Sequence, residues 1–402
     1  AWYPQAEVRV AHALTAPAHA SFLTGAYPYR SGIVLNQWYD TARGRRVYAV
    51  GDSKHTVVGT RPSKPMRGTA PTNLRAPSLG DSLKTLGFPS RVASVAIKDR
   101  ASILLGGFQS DLSLWFDHLG AQWVTSTYYA PDKQLPPALT KVNEALGARR
   151  GETVRWIVDG PRGFERAAKI GDQYAARMMP FGVEATVDAA LTLIEALQLG
   201  QRRDGGPDVL AVSLSPLDYI GHEEGAGSPA ADAMVLVHDR ELARFFGALD
   251  ARIPGGLDEV LIVLTADHGA PPHGDVLDKH GMPHGRMQDK AIAKGLSAHL
   301  AARMGALPDD TPWVAMCAKL NVYLDARAIG RAGKDLQAAA IEAAHWLRAQ
   351  DGIAQVYTMW DLASGGGPPG AWRELAINSH FRGRSGHVVA LPAPYHATGG
   401  DP

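Results

Sequence analysis

Three apolar runs rich in β-branched residues punctuate the chain: "SRVASVAI" (90–97), "DVLAVSLS" (208–215) and "EVLIVLTA" (259–266). None alternates strictly between apolar and polar, so each predicts a strand covered on both faces, as in a parallel sheet flanked by helices. Helical patterns lie between and around them, over 182–199 ("GVEATVDAALTLIEALQL"), 229–250 and 334–349. Strands alternating with helices predict an α/β fold with a mostly parallel sheet, and ligands of such sheets bind beyond the carboxyl ends of the strands. Pro- and Gly-rich breaks at 61–72, 271–287 and 364–371 predict loops or insertion boundaries rather than linkers between independent domains. No internal repeat and no low-complexity tract occurs.

Composition narrows this picture by exclusion. The 402 residues are enough for one large or two smaller α/β domains. Basic and acidic side chains nearly balance, 41 to 40, which argues against a chain-wide electrostatic footprint for nucleic acid while leaving room for a local basic pocket. No apolar run reaches the roughly 18 residues a membrane span needs. One cysteine, Cys317 in "WVAMCAKLNVYLD", rules out an internal disulfide framework and a Cys-rich zinc site. Its apolar, strand-like surroundings predict a buried, inert thiol.

The chemistry gathers at strand ends. "PLDYIGHEEGAGS" follows the second strand and gives Asp218 and His222 four residues apart; "DHG" follows the third and gives Asp267 and His268. Carboxylate oxygen and imidazole nitrogen suit a zinc ion. Either pair alone is more often structural, but two pairs at the ends of two strands of one sheet point to a metal centre. Lys98 and Arg100 emerge after the first strand in "VAIKDRASILLGG", either as a solvated basic turn or as a clamp for an oxyanion. Asn36 would add a neutral amide donor. Near the start, "HALTAPAHASFLTGAYPYRSGIVLNQWYD" (12–40) opens two readings for Thr15: the N-cap of a helix with Pro in its first turn, or a nucleophile at the positive end of that helix.

These residues carry a resemblance. The chain resembles the alkaline phosphatase superfamily, in the Thr-nucleophile branch where Thr-x-Pro-x-His is followed by Thr-Gly-x-x-Pro, Gly-Ile and Asn-x-Trp-Tyr-Asp; here these are "TAPAH", "LTGAYP", "SGIV" and "NQWYD", in that order. "KDR", "SPLDYIGHEEGAGSPAAD" and "LTADHG" match later blocks, so that the resemblance covers most of residues 5 to 270. It implies an alkaline-phosphatase-like α/β core over 1–270 and 376–402, with an inserted cap over 271–375. It implies Thr15 as nucleophile and as ligand of one of two Zn²⁺ ions, sharing that ion with Asp267 and His268. Asp218 and His222 would hold the other, and Asn36, Lys98 and Arg100 the phosphoryl oxygens. The Lys–Arg pair separates the phosphomonoesterases from the nucleotide pyrophosphatase and phosphodiesterase branch, and "TAPAH" is not the C/S-x-P-x-R motif of sulfatases.

The family also uses an Asp on a first strand upstream of the threonine and a His in a late Gly-Thr-x-His-Gly run. Glu7 has no matching context, and neither His387 nor His396 matches the run, so each zinc site is expected to lack one ligand and the chain to be truncated at both ends, with doubtful activity as it stands. The expected function is a zinc-dependent phosphomonoesterase acting through a phosphothreonine. A phosphodiesterase or nucleotide pyrophosphatase on the same fold and a non-catalytic phosphate- or metal-binding remnant are the alternatives. The partner is expected to be a small phosphate ester, the protein a monomer, and the setting the bacterial periplasm or the cell exterior. His273, His280 and His284 are expected to belong to a Pro-rich connection without metal, "NVYLD" (321–325) to contain a strand of the insertion, and Trp38, Tyr39 and Asp40 either to line the pocket or to pack beneath the threonine loop.

Overall fold

The computed structural model describes residues 7–61, 68–202 and 205–399. They form two compact units, one made of residues up to 21 with 26–49 and 273 onward, the other of 22–25 and 50–272.

The second unit is built on a five-stranded sheet whose spatial order is Val57–Val58, Gln122–Ser126, Leu112–Asp117, Val92–Ala96, Val209–Ser213. Val92–Ala96 runs parallel to both neighbours, with Ala93 opposite Leu112 on one side and Leu210 on the other. The remaining two pairings are antiparallel, so the sheet is mixed. Val92–Ala96 is buried throughout, as its unbroken apolar run requires, and helices Asp99–Gly106 and Pro180–Leu197 pack against it. Its one polar residue, Ser94, hydrogen-bonds the Ser102 carbonyl and Ser113 Oγ, both at 2.8 Å, so no polar atom of its side chain is stranded in the core. The helices expected at 182–199 and 229–250 are present as Pro180–Leu197 and Pro229–Arg252. Of the expected break at 61–72, residues 62–67 lie outside the described residues.

Two expectations fail here. Val209–Ser213 is half-buried rather than buried, because it is an edge strand of its sheet with Val92–Ala96 on one side. The run 259–266 forms no strand at all: Glu259 ends the 3₁₀ turn Gly256–Glu259 and 260–266 has no regular structure, with Leu261 91% and Val263 80% exposed. An apolar run specifies a strand only together with a partner to pair with, and no strand among the described residues lies against this one.

Helix Leu79–Thr85 begins with a capping box in which Ser78 Oγ accepts from Asp81 N–H and the Asp81 carboxylate accepts from Ser78 N–H. The buried Asp81 carboxylate also accepts from Phe108 and Gln109 N–H, tying the helix to the turn after Asp99–Gly106. Asp81→Ala strands three backbone donors at once and is expected to cost about 3 kcal/mol or more, read as a shift of the urea midpoint at unchanged m-value. A shift under about 1 kcal/mol would mean that water replaces the carboxylate.

The first unit carries a four-stranded antiparallel sheet in the order Val314–Ala318, Asn321–Leu324, Val388–Pro392, Ile353–Thr358. Helices Asp289–Met304 and Leu336–Arg348 pack on it. Leu336–Arg348, expected at 334–349, turns a face of Ala339, Ala340, Ala343 and Ala344 inward, small enough to bring the helix close to Leu296, Leu300 and Val322. The strand expected in "NVYLD" is Asn321–Leu324, and the late segment 376–399 supplies the strand beside it. The stretch 271–287 is less loop-like than its Pro and Gly content suggests, holding helix Gly274–Lys279 and the start of strand Gly285–Gln288. A hairpin of Gln37–Asp40 and Arg45–Tyr48 completes the part of the unit that matters for Thr15.

Candidate active site

Thr15 and Asn36 belong to the first unit, while Lys98, Arg100, Asp218, His222, Asp267 and His268 belong to the second.

In the first unit Thr15 is buried as the first residue of helix Thr15–Thr24. The cap position falls on Leu14, whose carbonyl accepts from Ala18 N–H at 3.1 Å, so capping does not account for the threonine. Pro17 sits in the first turn, where its missing N–H costs nothing. His19, one turn on, has Nδ1 2.8 Å from the Thr15 carbonyl. Asn36 lies just before strand Gln37–Asp40 and accepts the Ala16 N–H on Oδ1 at 2.9 Å. That bond fixes the amide's orientation and leaves Nδ2 as a donor beside the turn that carries Thr15.

In the second unit a helix brings Asp218 and His222 together. They are four apart on Pro216–Glu224, hence on one face, with Asp218 Oδ1 3.4 Å from His222 Nε2. His268 Nε2 lies 3.4 Å from the same Asp218 oxygen and 3.5 Å from Asp267 Oδ2. The four residues of this unit expected to hold metal therefore converge, joined through Asp218 and His268 rather than as two separate pairs. Among the described residues no group of three or more His, Cys, Asp and Glu side chains is arranged to hold a metal ion. In donor type, carboxylate oxygen and imidazole nitrogen, the four suit zinc.

Lys98 is the residue before helix Asp99–Gly106, and its buried ammonium is bonded to Asp218 Oδ2. Burial pulls the Lys98 pKa below its ordinary value, with the Asp218 charge offsetting part of that and Arg100 adding to it. Burial would raise the Asp218 carboxyl, but the His222 hydrogen bond and the Lys98 charge hold it well below the usual carboxylate range. A contact missing from the sequence reading lies beneath them: Lys98 Nζ is 4.6 Å from the centre of the Tyr219 ring and Arg177 Cζ 5.0 Å from the same ring. Tyr219 sits beside Asp218 in the quoted motif; nothing in the sequence points to Arg177.

The remaining candidates make their contacts outside this cluster. Cys317 lies in strand Val314–Ala318 with Sγ 3.4 Å from Asp289 Oδ1, and burial pushes its thiol well above the ordinary range. His387 is buried and accepts the Leu324 N–H on Nδ1 at 3.0 Å; His396 lies in strand His396–Gly399. Nε2 of His284 is 3.0 Å from Asp278, and Nδ1 of His273 is 3.6 Å from Asp275. Trp38 is fully buried under the Arg384 guanidinium, Tyr39 packs at 6.1 Å from Tyr323, and Asp40 accepts the Arg43 N–H.

A family model for type I phosphodiesterase / nucleotide pyrophosphatase matches residues 4–373. The chain is 34% identical over 301 residues to alkaline phosphatase PhoV of Synechococcus elongatus, covering 68% of this chain and 53% of PhoV. It is 32% identical over 347 residues to alkaline phosphatase PafA of Elizabethkingia meningoseptica, covering 79% of this chain and 61% of PafA. It thus spans little more than half the length of these curated relatives. A crystal structure of wild-type PafA matches with a TM-score of 0.84 at 26% identity, over 97% of this chain and 78% of that one. A PafA variant with one threonine changed to serine, and one asparagine, one lysine and one arginine changed to alanine, matches with the same TM-score at 25% identity.

Proposed function

Because the chain belongs to the type I phosphodiesterase / nucleotide pyrophosphatase family, within the alkaline phosphatase superfamily, we propose that it acts as a metal-dependent phosphomonoesterase with Thr15 as nucleophile. The observation that carries this reading is the placement of Lys98 and Arg100 at the start of helix Asp99–Gly106, with Lys98 bonded into the Asp218, His222, Asp267 and His268 cluster. A monoester dianion presents three non-bridging oxygens and about two charges, so two cations suit it better than a diester with one charge. The PafA variant supports the assignment of the individual residues. Its substituted threonine and asparagine are 21 residues apart, its threonine and lysine 83, and its lysine and arginine 2, the same intervals that separate Thr15, Asn36, Lys98 and Arg100.

In this reading Thr15 Oγ1 gives its proton to solvent and forms the new O–P bond at the helix N-terminus as the bond from phosphorus to the ester oxygen breaks in line, and the departing oxygen takes a proton from water. Water then breaks the phosphothreonine to release phosphate. Asn36 Nδ2, Lys98 and Arg100 orient the phosphoryl oxygens and offset their charge. Asp218, His222, Asp267 and His268 would hold the divalent cations, with zinc the expected ion. When bound, such ions lower the pKa of a hydroxyl or water and offset charge on the attacking and leaving oxygens. A periplasmic or secreted setting rests on the resemblance; no helix among the described residues is long and apolar enough to cross a membrane.

The test is zinc stoichiometry together with turnover of aryl phosphate and bis-aryl phosphate, on this chain and on a version extended at both ends. Two zincs and preferred monoester turnover in the extended protein support the reading. Metal binding without turnover of either ester would favour a binding remnant, and preferred diester turnover would favour the phosphodiesterase reading. Lys98→Ala separates the two esterases further: kcat/KM for the monoester is expected to fall about 100-fold, while diester hydrolysis changes by less than about threefold. Equal losses on both esters would show that Lys98 serves the cluster through Asp218 instead of reading the second phosphoryl charge.

A further inference from the structure

Residues 378–386 touch the nucleophile region of the first unit on both sides of Thr15. Upstream, Ser379 Oγ accepts the Ala11 N–H at 2.7 Å, and Asn378 Nδ2 donates to the Arg9 carbonyl at 2.9 Å. Ala11 also packs against the cluster of Tyr357, Leu362, Ala376 and Leu391. His12, fully enclosed, accepts on Nε2 from Asn321 Nδ2, and the same Asn321 takes the Gly386 N–H on Oδ1 at 3.2 Å. Downstream, the buried Arg384 donates to the Gly32 carbonyl at 2.6 Å and lies over the Trp38 ring, 5.1 Å from its centre. Gly32 and Trp38 bracket Asn36. The segment is braced internally by Ser385 Oγ, which accepts the Phe381 N–H at 3.0 Å.

We propose that residues 378–386 form a clamp that sets Thr15 against Asn36, with Asn378, Ser379 and Arg384 as positioning residues. The inference rests on the nucleophile reading of Thr15, and residues 378–386 all lie beyond residue 373, where the family match ends. Its physical basis is the spacing of the attachments. Arg9, Ala11 and His12 hold the strand of chain that delivers Thr15, Gly32 and Trp38 hold the one that delivers Asn36, and the Ala16–Asn36 bond closes the loop between them. A nucleophile on a helix terminus that frays loses in-line geometry long before it loses its fold, and a displacement of about 1 Å is enough to cost on the order of 100-fold in rate.

The experiment compares Ser379→Ala, Ser379→Thr and Arg384→Lys with wild type in the extended protein. It measures kcat and KM for an aryl phosphate, and hydrogen exchange in peptides covering residues 9–20. The clamp predicts that Ser379→Ala lowers kcat roughly 10- to 100-fold with KM within about twofold, and raises exchange over 9–18. Ser379→Thr, which keeps the hydroxyl, restores both. Arg384→Lys, which loses the guanidinium fork, lowers kcat likewise. Unchanged kcat and exchange in Ser379→Ala overturn the clamp. So does a loss of kcat that tracks the melting temperature and is not restored by threonine, since that is a general loss of fold. If wild type turns over no phosphoester, the nucleophile reading fails by itself; exchange then still decides the clamp, raised over 9–18 in its favour and unchanged against it.

Discussion

Thr15→Ala is expected to abolish turnover of aryl phosphate, by roughly 1,000-fold or more, while leaving the protein folded and its zinc content within one ion of wild type. The size of the loss follows from what is removed. A missing hydrogen-bond donor weakens a transition state that still forms, whereas a missing nucleophile closes the covalent route and leaves direct attack by water. The separation from stability follows from the position: Thr15 is the first residue inside its helix, the cap lies at Leu14, and the Ala16–Asn36 bond survives the change. Thr15→Ser keeps the hydroxyl and is expected to retain turnover within about 100-fold of wild type. Short-time quench with a ³²P-labelled ester should trap label on the wild-type and serine proteins and none on the alanine protein. Residual activity within tenfold of wild type in Thr15→Ala would return Thr15 to a structural role.

The strands legible in the sequence are those that find a pairing strand among the described residues. Val92–Ala96 was read correctly because Leu112–Asp117 and Val209–Ser213 pair with its backbone while helices Asp99–Gly106 and Pro180–Leu197 cover it. The run 259–266 has an equally apolar pattern and misled, since periodicity reports what a segment would do once paired and says nothing of a mate. Leu112–Asp117 and Gln122–Ser126 were missed for the opposite reason: "LSLWFD" and "QWVTS" mix polar and aromatic residues, and Gln122 and Thr125 are buried only because Arg61, Thr60 and the Ser113 carbonyl satisfy them. The four acidic and imidazole residues were found from their place after apolar runs, and one helical turn explains the four-residue spacing of Asp218 and His222. What spacing could not reveal is their cross-linking through Asp218 and His268, or the bond that engages Lys98 with Asp218, because these depend on how segments far apart in the chain converge. Asn378, Ser379 and Arg384 were invisible for the same reason, lying more than 300 residues from the chain they hold.

Acid is expected to unfold the first unit through two histidines that must stay neutral. His12 accepts a hydrogen bond on Nε2 and His387 on Nδ1, so in each ring a nitrogen that would carry the second proton is occupied as an acceptor. Burial lowers both pKa values to about 4, with the Lys319 charge adding to the effect at His12. In the unfolded chain the same groups titrate near 6.5. Below that pH the unfolded state takes up protons first, so the stability these residues confer is complete above about pH 6.5, falls as pH drops, and stops falling near pH 4, where both states are protonated. Each histidine accounts for a loss of about 3 kcal/mol across that window, about 6 kcal/mol for the pair, at a slope near 1.4 kcal/mol per pH unit apiece. Urea denaturation at half-unit steps from pH 7.5 to 4 measures the slope directly. In His387→Gln, where the amide oxygen can still accept the Leu324 N–H without titrating, the slope is expected to fall by about one proton's worth. An unchanged slope in that variant would place the acid sensitivity elsewhere, in carboxylates that protonate at lower pH, and the neutral histidines would be bystanders to it.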